Sequence, residues 1–297
     1  MQTLLAEIVD LMQSAGTRDV KTAMPGLTMI RGDVPPDQLA ALYKPMIGFT
    51  VQGTKMLSIG GHTTALVGPA YYVLPLHVPA TATVRPSSDG GEYMSIGLEI
   101  DREILKSLLV ELQDGSPPRP TPPFAPCDFD AEMLEAWLRL LRLVRSPRDM
   151  RVLSQGYKRE IFYRVLLGPQ GERLRQLGIV ESNVSRIANT VAWLRRHFAE
   201  PIDVRSVARE TGMAVTTFHR QFKQVTGLSP IQFQKQLRLL AAKDLLAFNG
   251  YAVATAAYEV GYESPSQFNR EYSRFFGESP ARNAARLRSE AVAMTGG

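Results

Sequence analysis

The chain has 297 residues, 44% of them hydrophobic, 21% charged and 8% aromatic, which suits about two domains at roughly 100–200 residues each. No stretch approaches the ~18 uninterrupted apolar residues of a membrane span, and a single cysteine, Cys127, excludes an intramolecular disulfide and a multi-cysteine metal site. The net charge of +5 is uneven: residues 181–297 hold 15 basic against 10 acidic side chains while residues 1–180 hold 19 of each, so an anionic partner such as nucleic acid is expected at the C-terminal part.

Residues 1–16 carry Glu7 and Asp10 inside an apolar stretch, which predicts a short amphipathic helix and not a secretory leader. A cytoplasmic protein is expected. From about 20 to 100, short runs rich in Val, Ile, Thr and Tyr fall at 27–30, 47–53, 55–61, 64–68, 71–75, 82–85 and 93–100. Gly or Pro punctuates them, the spacing of an all-β barrel or sandwich. Arg31, Lys55, Tyr71 and Tyr72 are polar or aromatic residues on these strands that could line a pocket, and period-two alternation leaves open which side each one takes. Asp101 is placed to cap a helix whose Leu105, Leu108, Leu109 and Leu112 recur at helical intervals. Six prolines within 115–126 predict a stiff extended connector. Beside it, Cys127 reads as an exposed thiol. Helices are expected over 131–144, over 148–167 and in a third segment ending at 178. Trp137, Leu141, Ile161 and Phe162 give these helices apolar stripes with no partner visible in sequence, so 131–178 is expected to form a homodimer.

An internal repeat follows. Phe218, Arg220, Phe222, Gly227, Ser229 and Pro230 match Phe268, Arg270, Tyr272, Gly277, Ser279 and Pro280, the pattern F-x-R-x-aromatic-x4-G-x-S-P at an offset of 50 residues. Each copy reads as a short helix, a turn at Gly212 or Gly261, and a longer second helix closed by Gly227 or Gly277. Ser264-Pro265 is a helix-start pair for the second of these. That arrangement is a helix-turn-helix, whose second helix enters the major groove. With the phenylalanines turned inward, Thr216, Thr217, His219, Arg220 and Lys223 face out in the first copy, and Ser266, Gln267, Asn269, Arg270 and Arg274 in the second. These side chains suit base edges and phosphates: Arg pairs with guanine, Asn and Gln with adenine, Ser and Thr with either. Between the copies, Ser229-Pro230 starts and Asn249-Gly250 stops one helix of nearly twenty residues. Its length of about 28 Å at ~1.5 Å per residue compares with the ~34 Å repeat of the major groove. A rigid rod of that size would let one chain read two successive grooves of double-stranded DNA.

At these residues, from about 183 to 288, the sequence resembles the AraC/XylS family of bacterial transcription regulators. VRSVARETGMAVTTFHRQFKQVTGLSP, LRLLAAKDLL and VGYESPSQFNREYSRFFGESP carry the resemblance. YKPMIGFTVQGTKMLSIGG and KREIFYRVLLGPQGERLRQL extend it, more loosely, to the regulatory domain of that family. The resemblance implies an α+β protein with two domains. Residues 1–180 would form a regulatory and dimerisation domain, with a cupin-like β-barrel at about 20–100, the connector at 115–126 and helices at 130–178. Residues 181–297 would form an all-α DNA-binding domain of two helix-turn-helix units joined by a long helix. It further implies promoter DNA, a second copy of the chain, RNA polymerase and a small-molecule effector in the barrel as partners, with activation and repression both open.

No catalytic residue, metal site or cofactor is expected. His62 and His77 stand alone, the H-x-H pair and following Glu of catalytic cupins are absent, and so are G-x-S-x-G and P-loop signatures. Two competing readings are a cupin-type metalloenzyme with an accessory helical domain and a DNA-binding regulator whose barrel only dimerises.

Overall fold

Amphipathic residues 1–16 do begin in a helix, α1 (Gln2–Ser14), which buries Ile8, Leu11 and Met12. The structure, a computed structural model, describes residues 1–14, 19–36, 39–112, 124–179 and 182–295. Nine strands follow among them: β1 (Asp19–Lys21), β2 (Leu27–Arg31), β3 (Ala41–Tyr43), β4 (Met46–Gln52), β5 (Thr54–Ile59), β6 (His62–Val67), β7 (Ala70–Leu74), β8 (Val78–Arg85) and β9 (Met94–Glu99). All of their pairings are antiparallel. They form two sheets, β1-β2-β9-β4-β7 and β3-β8-β5-β6. The expected barrel is thus sandwich-like. Strand β8 begins four residues before the expected 82, because Pro79 reads as a breaker yet pairs with Leu42 on β3.

The first sheet has two apolar faces. Ile47, Phe49, Val51, Tyr71 and Val73 point to one side, where helices cover them. These are α2 (Arg102–Glu111), α3 (Ala131–Arg142), α4 (Pro147–Leu167) and α5 (Gly171–Gly178). Asp101 caps α2 as expected, its carboxylate accepting from the Glu103 and Ile104 amides at 2.9 and 3.2 Å. The Phe49 ring lies 4.2 Å from Phe129 and 5.6 Å from Trp137.

This packing corrects two expectations. Trp137, Leu141, Ile161 and Phe162 are all at or below 1% exposure inside this core, so the stripes assigned to a dimer face have their partner within the chain. Cys127 is buried, not exposed: its backbone pairs with that of Tyr71 at 2.8 and 2.9 Å. Of the connector expected over 115–126, residues 115–123 lie outside the described residues, and Phe124 sets its ring edge-on to Tyr72 at 5.8 Å.

The rest of the chain is helical: α6 (Asn183–Arg196), α7 (Val204–Glu210), α8 (Val215–Thr226), α9 (Pro230–Ala247), α10 (Val253–Glu259), α11 (Pro265–Phe276) and α12 (Pro280–Thr295). Gly227 and Gly277 close α8 and α11 at φ 77° and 81°, a left-handed position that favours glycine. Ser229 and Gln232 make a capping box at the start of α9. Among the described residues no helix is long and apolar enough to cross a membrane.

The strand unit rests on the helical unit. Leu57, Leu66, Tyr72 and Leu74 share one apolar cluster with Val184, Ile187, Phe218 and Phe222. The Lys243 ammonium on α9 donates to the Ala40 carbonyl at 2.8 Å. At the β5–β6 turn, Gly60 comes so close to the C-cap of α8 that a Cβ there would meet the Gly227 carbonyl at 2.0 Å.

Candidate nucleic-acid interface

Helices α8 and α11 are both sorted into an apolar and a polar side. Phe218 and Phe222 are fully buried on α8, as are Phe268 and Tyr272 on α11, because residues four apart share a helix face. The opposite sides are wet. Thr216, Arg220 and Lys223 are exposed and Thr217 and His219 half-buried on α8, while Ser266, Gln267, Asn269, Arg270 and Arg274 are exposed on α11. Arg220 and Arg270 occupy equivalent places and make no ion pair or hydrogen bond among the described residues. Gln267 is less free, since its amide donates to the Glu271 carboxylate at 3.3 Å. Arg274 also stands apart: it lines a groove with Phe275, Ser58 and Thr83 between the end of α11 and the second sheet.

Helix α9 holds both units. On one side the Phe233 ring meets Phe222 edge-on at 5.5 Å, fastening α8. Elsewhere along it Lys235 pairs with Glu271 at 2.6 Å, fastening α11. Its 18 residues span about 27 Å at ~1.5 Å per residue.

Sequence reading missed the residue that joins the two units most directly. Arg238 on α9 donates to the carbonyls of Phe198, Ala199 and Glu200 at 2.7 to 3.1 Å and to that of Gly261 at 2.7 Å. A single guanidinium thus ties the loop before α7 to the turn before α11, using the fixed fork of donors that distinguishes Arg from Lys. Partial burial lowers its pKa from the ordinary arginine range. Glu271 is a second hub, accepting from Tyr262 at 2.8 Å as well as from Lys235 and Gln267. Those contacts outweigh its partial burial and hold its carboxyl below the usual carboxylate range. The repeat gives no hint of it, because Gln221 stands at the equivalent place in the first copy.

The four pocket candidates on the strands divide evenly. Lys55 and Tyr72 line a cavity of about 500 Å³ between the two sheets. Tyr71, one residue along the same strand, points the other way into the helix-covered core, 5.4 Å from the Phe129 ring. Arg31 sits at the end of β2, donating to the Gln13 carbonyl at 2.9 Å and lying 3.7 Å from Glu92. Neither Arg31 nor Tyr71 belongs to the cavity.

Comparison with known proteins agrees with this geometry. A family signature described as "AraC-type transcriptional regulator N-terminus" matches residues 23–173, and one described as "Helix-turn-helix domain" matches residues 207–286. Among curated proteins, the HTH-type transcriptional activator RhaS of Salmonella schwarzengrund is 30% identical over 179 residues, covering 59% of this chain and 61% of that protein. RhaS of Escherichia coli is 30% identical over 177 residues with the same coverage. The chain thus matches about three fifths of the length of these relatives. Among solved structures, ToxT from Vibrio cholerae has the same overall fold, with a TM-score of 0.58 at 9% identity over 87% of this chain and 98% of that one.

Proposed function

Because the chain belongs to the AraC-type transcriptional regulators, DNA-binding proteins and not enzymes, we propose that it recognises a specific promoter sequence by inserting α8 and α11 into successive major grooves. The observation that carries this reading is the pair of equivalent polar faces on helices that both pack against α9. Arg220 and Arg270 are the candidates for bidentate pairing with guanine, and Asn269 for adenine. Lys223 and the α8 N-terminus, where Ala214 offers no side-chain cap, are suited to phosphates. In the test, Arg220→Ala and Arg270→Ala each cost about 1–3 kcal/mol of specific affinity, and footprinting shows each variant losing protection in a different half of the site. Unchanged sequence preference in both variants would refute direct base reading.

Residues 1–180 act in this reading as the regulatory unit and residues 181–297 as the DNA-binding unit, in the cytoplasm of a bacterial cell. The curated relatives are named activators, and activation, with the contact to RNA polymerase it requires, is the outcome we infer. The cavity between the sheets is the seat of a small-molecule effector, which sets this reading against a strand unit that merely dimerises. A homodimer forms through the outer face of α4, where Val152, Tyr163 and Leu167 are exposed hydrophobics on a single helix. Gly156 on the same helix has open space around it, so two copies of α4 could approach closely. Sedimentation of a Val152→Glu, Leu167→Glu variant checks it: a monomer is expected, and an unchanged dimer would move the interface elsewhere.

A further inference from the structure

Lys55 on β5 is a buried cation without a counter-charge. It is 3% exposed. Its Nζ lies 4.5 Å from the centre of the Tyr43 ring and has no hydrogen-bond or ion-pair partner among the described residues. The carboxylate of Glu99, which also lines the cavity, is held by Lys44. An ammonium taken out of water without an anion is costly, and here the space beside it is open. The cavity of about 500 Å³ is within the ordinary size range of small-molecule sites.

The fold hollows this space deliberately on the inner face of the first sheet. Gly48 and Gly97 are cross-strand partners there. A Cβ on Gly48 would lie 2.0 Å from the Tyr72 ring, and one on Gly97 2.1 Å from the end of Met46. Tyr43 Oη is occupied, donating to the Leu39 carbonyl at 3.0 Å. Tyr72 Oη has no partner among the described residues and borders the same cavity. The unpaired Lys55 ammonium, the Tyr72 hydroxyl and an apolar wall of Ile30 and Met46 therefore converge on it, beside the Lys44–Glu99 ion pair and the smaller hydroxyls of Thr28 and Ser95.

We propose that this cavity binds a small molecule bearing one carboxylate, with Lys55 as counter-charge, Tyr72 as hydroxyl donor and Ile30 and Met46 against its apolar part. The proposal deepens the effector reading above and rests on it. Burial brings the Lys55 pKa down to about 8, so the group is still an ammonium at neutral pH when the ligand arrives.

The test is calorimetric titration of the full chain with octanoate, phenylacetate and benzoate, each beside its primary amide. At least one acid is expected to bind, with its amide at least tenfold weaker. Lys55→Met weakens that acid at least tenfold, and Tyr72→Phe, which keeps the ring, weakens it several-fold. Thermal melts of both variants establish that they are folded. Amides binding as well as acids would overturn the carboxylate assignment and leave the effector reading standing. An acid that binds through Lys55 yet leaves promoter affinity unchanged would do the reverse. No binding of any acid at 10 mM, on the order of a hundred times weaker than a ~0.1 mM site, would overturn the proposal.

Discussion

Lys55→Met should make the ligand-free protein more stable. The native chain holds the Lys55 proton less tightly than the unfolded chain does, with a pKa near 8 against the ordinary 10.5. A lowered lysine pKa means that keeping the charge at pH 7 opposes folding, here by about 3 kcal/mol at ~1.4 kcal/mol per pKa unit. Loss of the Tyr43 ring contact offsets roughly 1–2 kcal/mol of that relief, so the expected net gain is about 1–2 kcal/mol. In a unit of this size that corresponds to a Tm rise of roughly 2–8 °C. The sign has a pH signature. As pH rises from 8 towards 10.5 the native lysine is already neutral while the unfolded one is losing its proton, so the opposing term fades and the two melting curves converge. Tyr43, Tyr72 and Tyr93 face the same interior and burial raises the pKa of each, so they stay neutral in both proteins over that range. Scanning calorimetry at pH 7 and pH 10 measures both effects. A variant less stable than the parent at pH 7 would mean the ammonium is already satisfied, and a pH-independent difference would mean that packing, not charge, is responsible.

Two further substitutions probe how the units are held together. Arg238→Met strips four carbonyl contacts and should destabilise the helical unit by roughly 2–4 kcal/mol. It should also lower affinity for a two-turn site more than for a half-site. Equal losses on both would show that Arg238 supports the fold without setting the spacing of the readers. Gly60→Val introduces a Cβ against the Gly227 carbonyl, whereas Gly61→Val meets nothing within 4 Å; both glycines have positive φ. Only the first should accelerate hydrogen exchange at residues 227–229, and equal acceleration by both would mean that backbone strain alone is at work.

Much of the fold was legible in the chain because its signals are local. Gly227 and Gly277 announce left-handed caps, Ser264-Pro265 and Ser229-Pro230 announce helix starts, and the strand runs are punctuated by Gly and Pro. Strands β1 and β3 are three residues long, too short for alternation to register. The polar faces of α8 and α11 follow from the same periodicity, since the inward phenylalanines fix which residues remain outside. Long-range packing was not legible. Nothing in 131–178 says that Trp137 will meet Phe49 of β4, or that Phe162 will join the same core, so an intramolecular core read as a dimer seam. Tyr71 and Tyr72 differ by one residue and face opposite sides of one strand, a choice made by the register Phe49↔Tyr71 and not by either residue type.

The cavity and the reading heads are joined by a short path. Lys55 and Gly60 lie on one hairpin arm, five residues and about 17 Å apart at ~3.3–3.4 Å per residue. Lys55 faces the interior at one end, and Gly60 touches the α8 C-cap at the other. A ligand that displaces β5 therefore acts on the seat of α8, whereas one that leaves β5 unmoved has no purchase through this contact. Coupling of this kind is reciprocal: whatever factor the ligand applies to DNA affinity, DNA applies to ligand affinity. Titrating a binding acid into the free protein and into its promoter complex must then give affinities that differ by the same factor as promoter affinity with and without that acid. Gly60→Val should shrink that factor towards one in both directions while Lys55 still holds the ligand, and an undiminished factor would mean that the coupling runs elsewhere, with the Lys243–Ala40 contact the next bridge between the units to break.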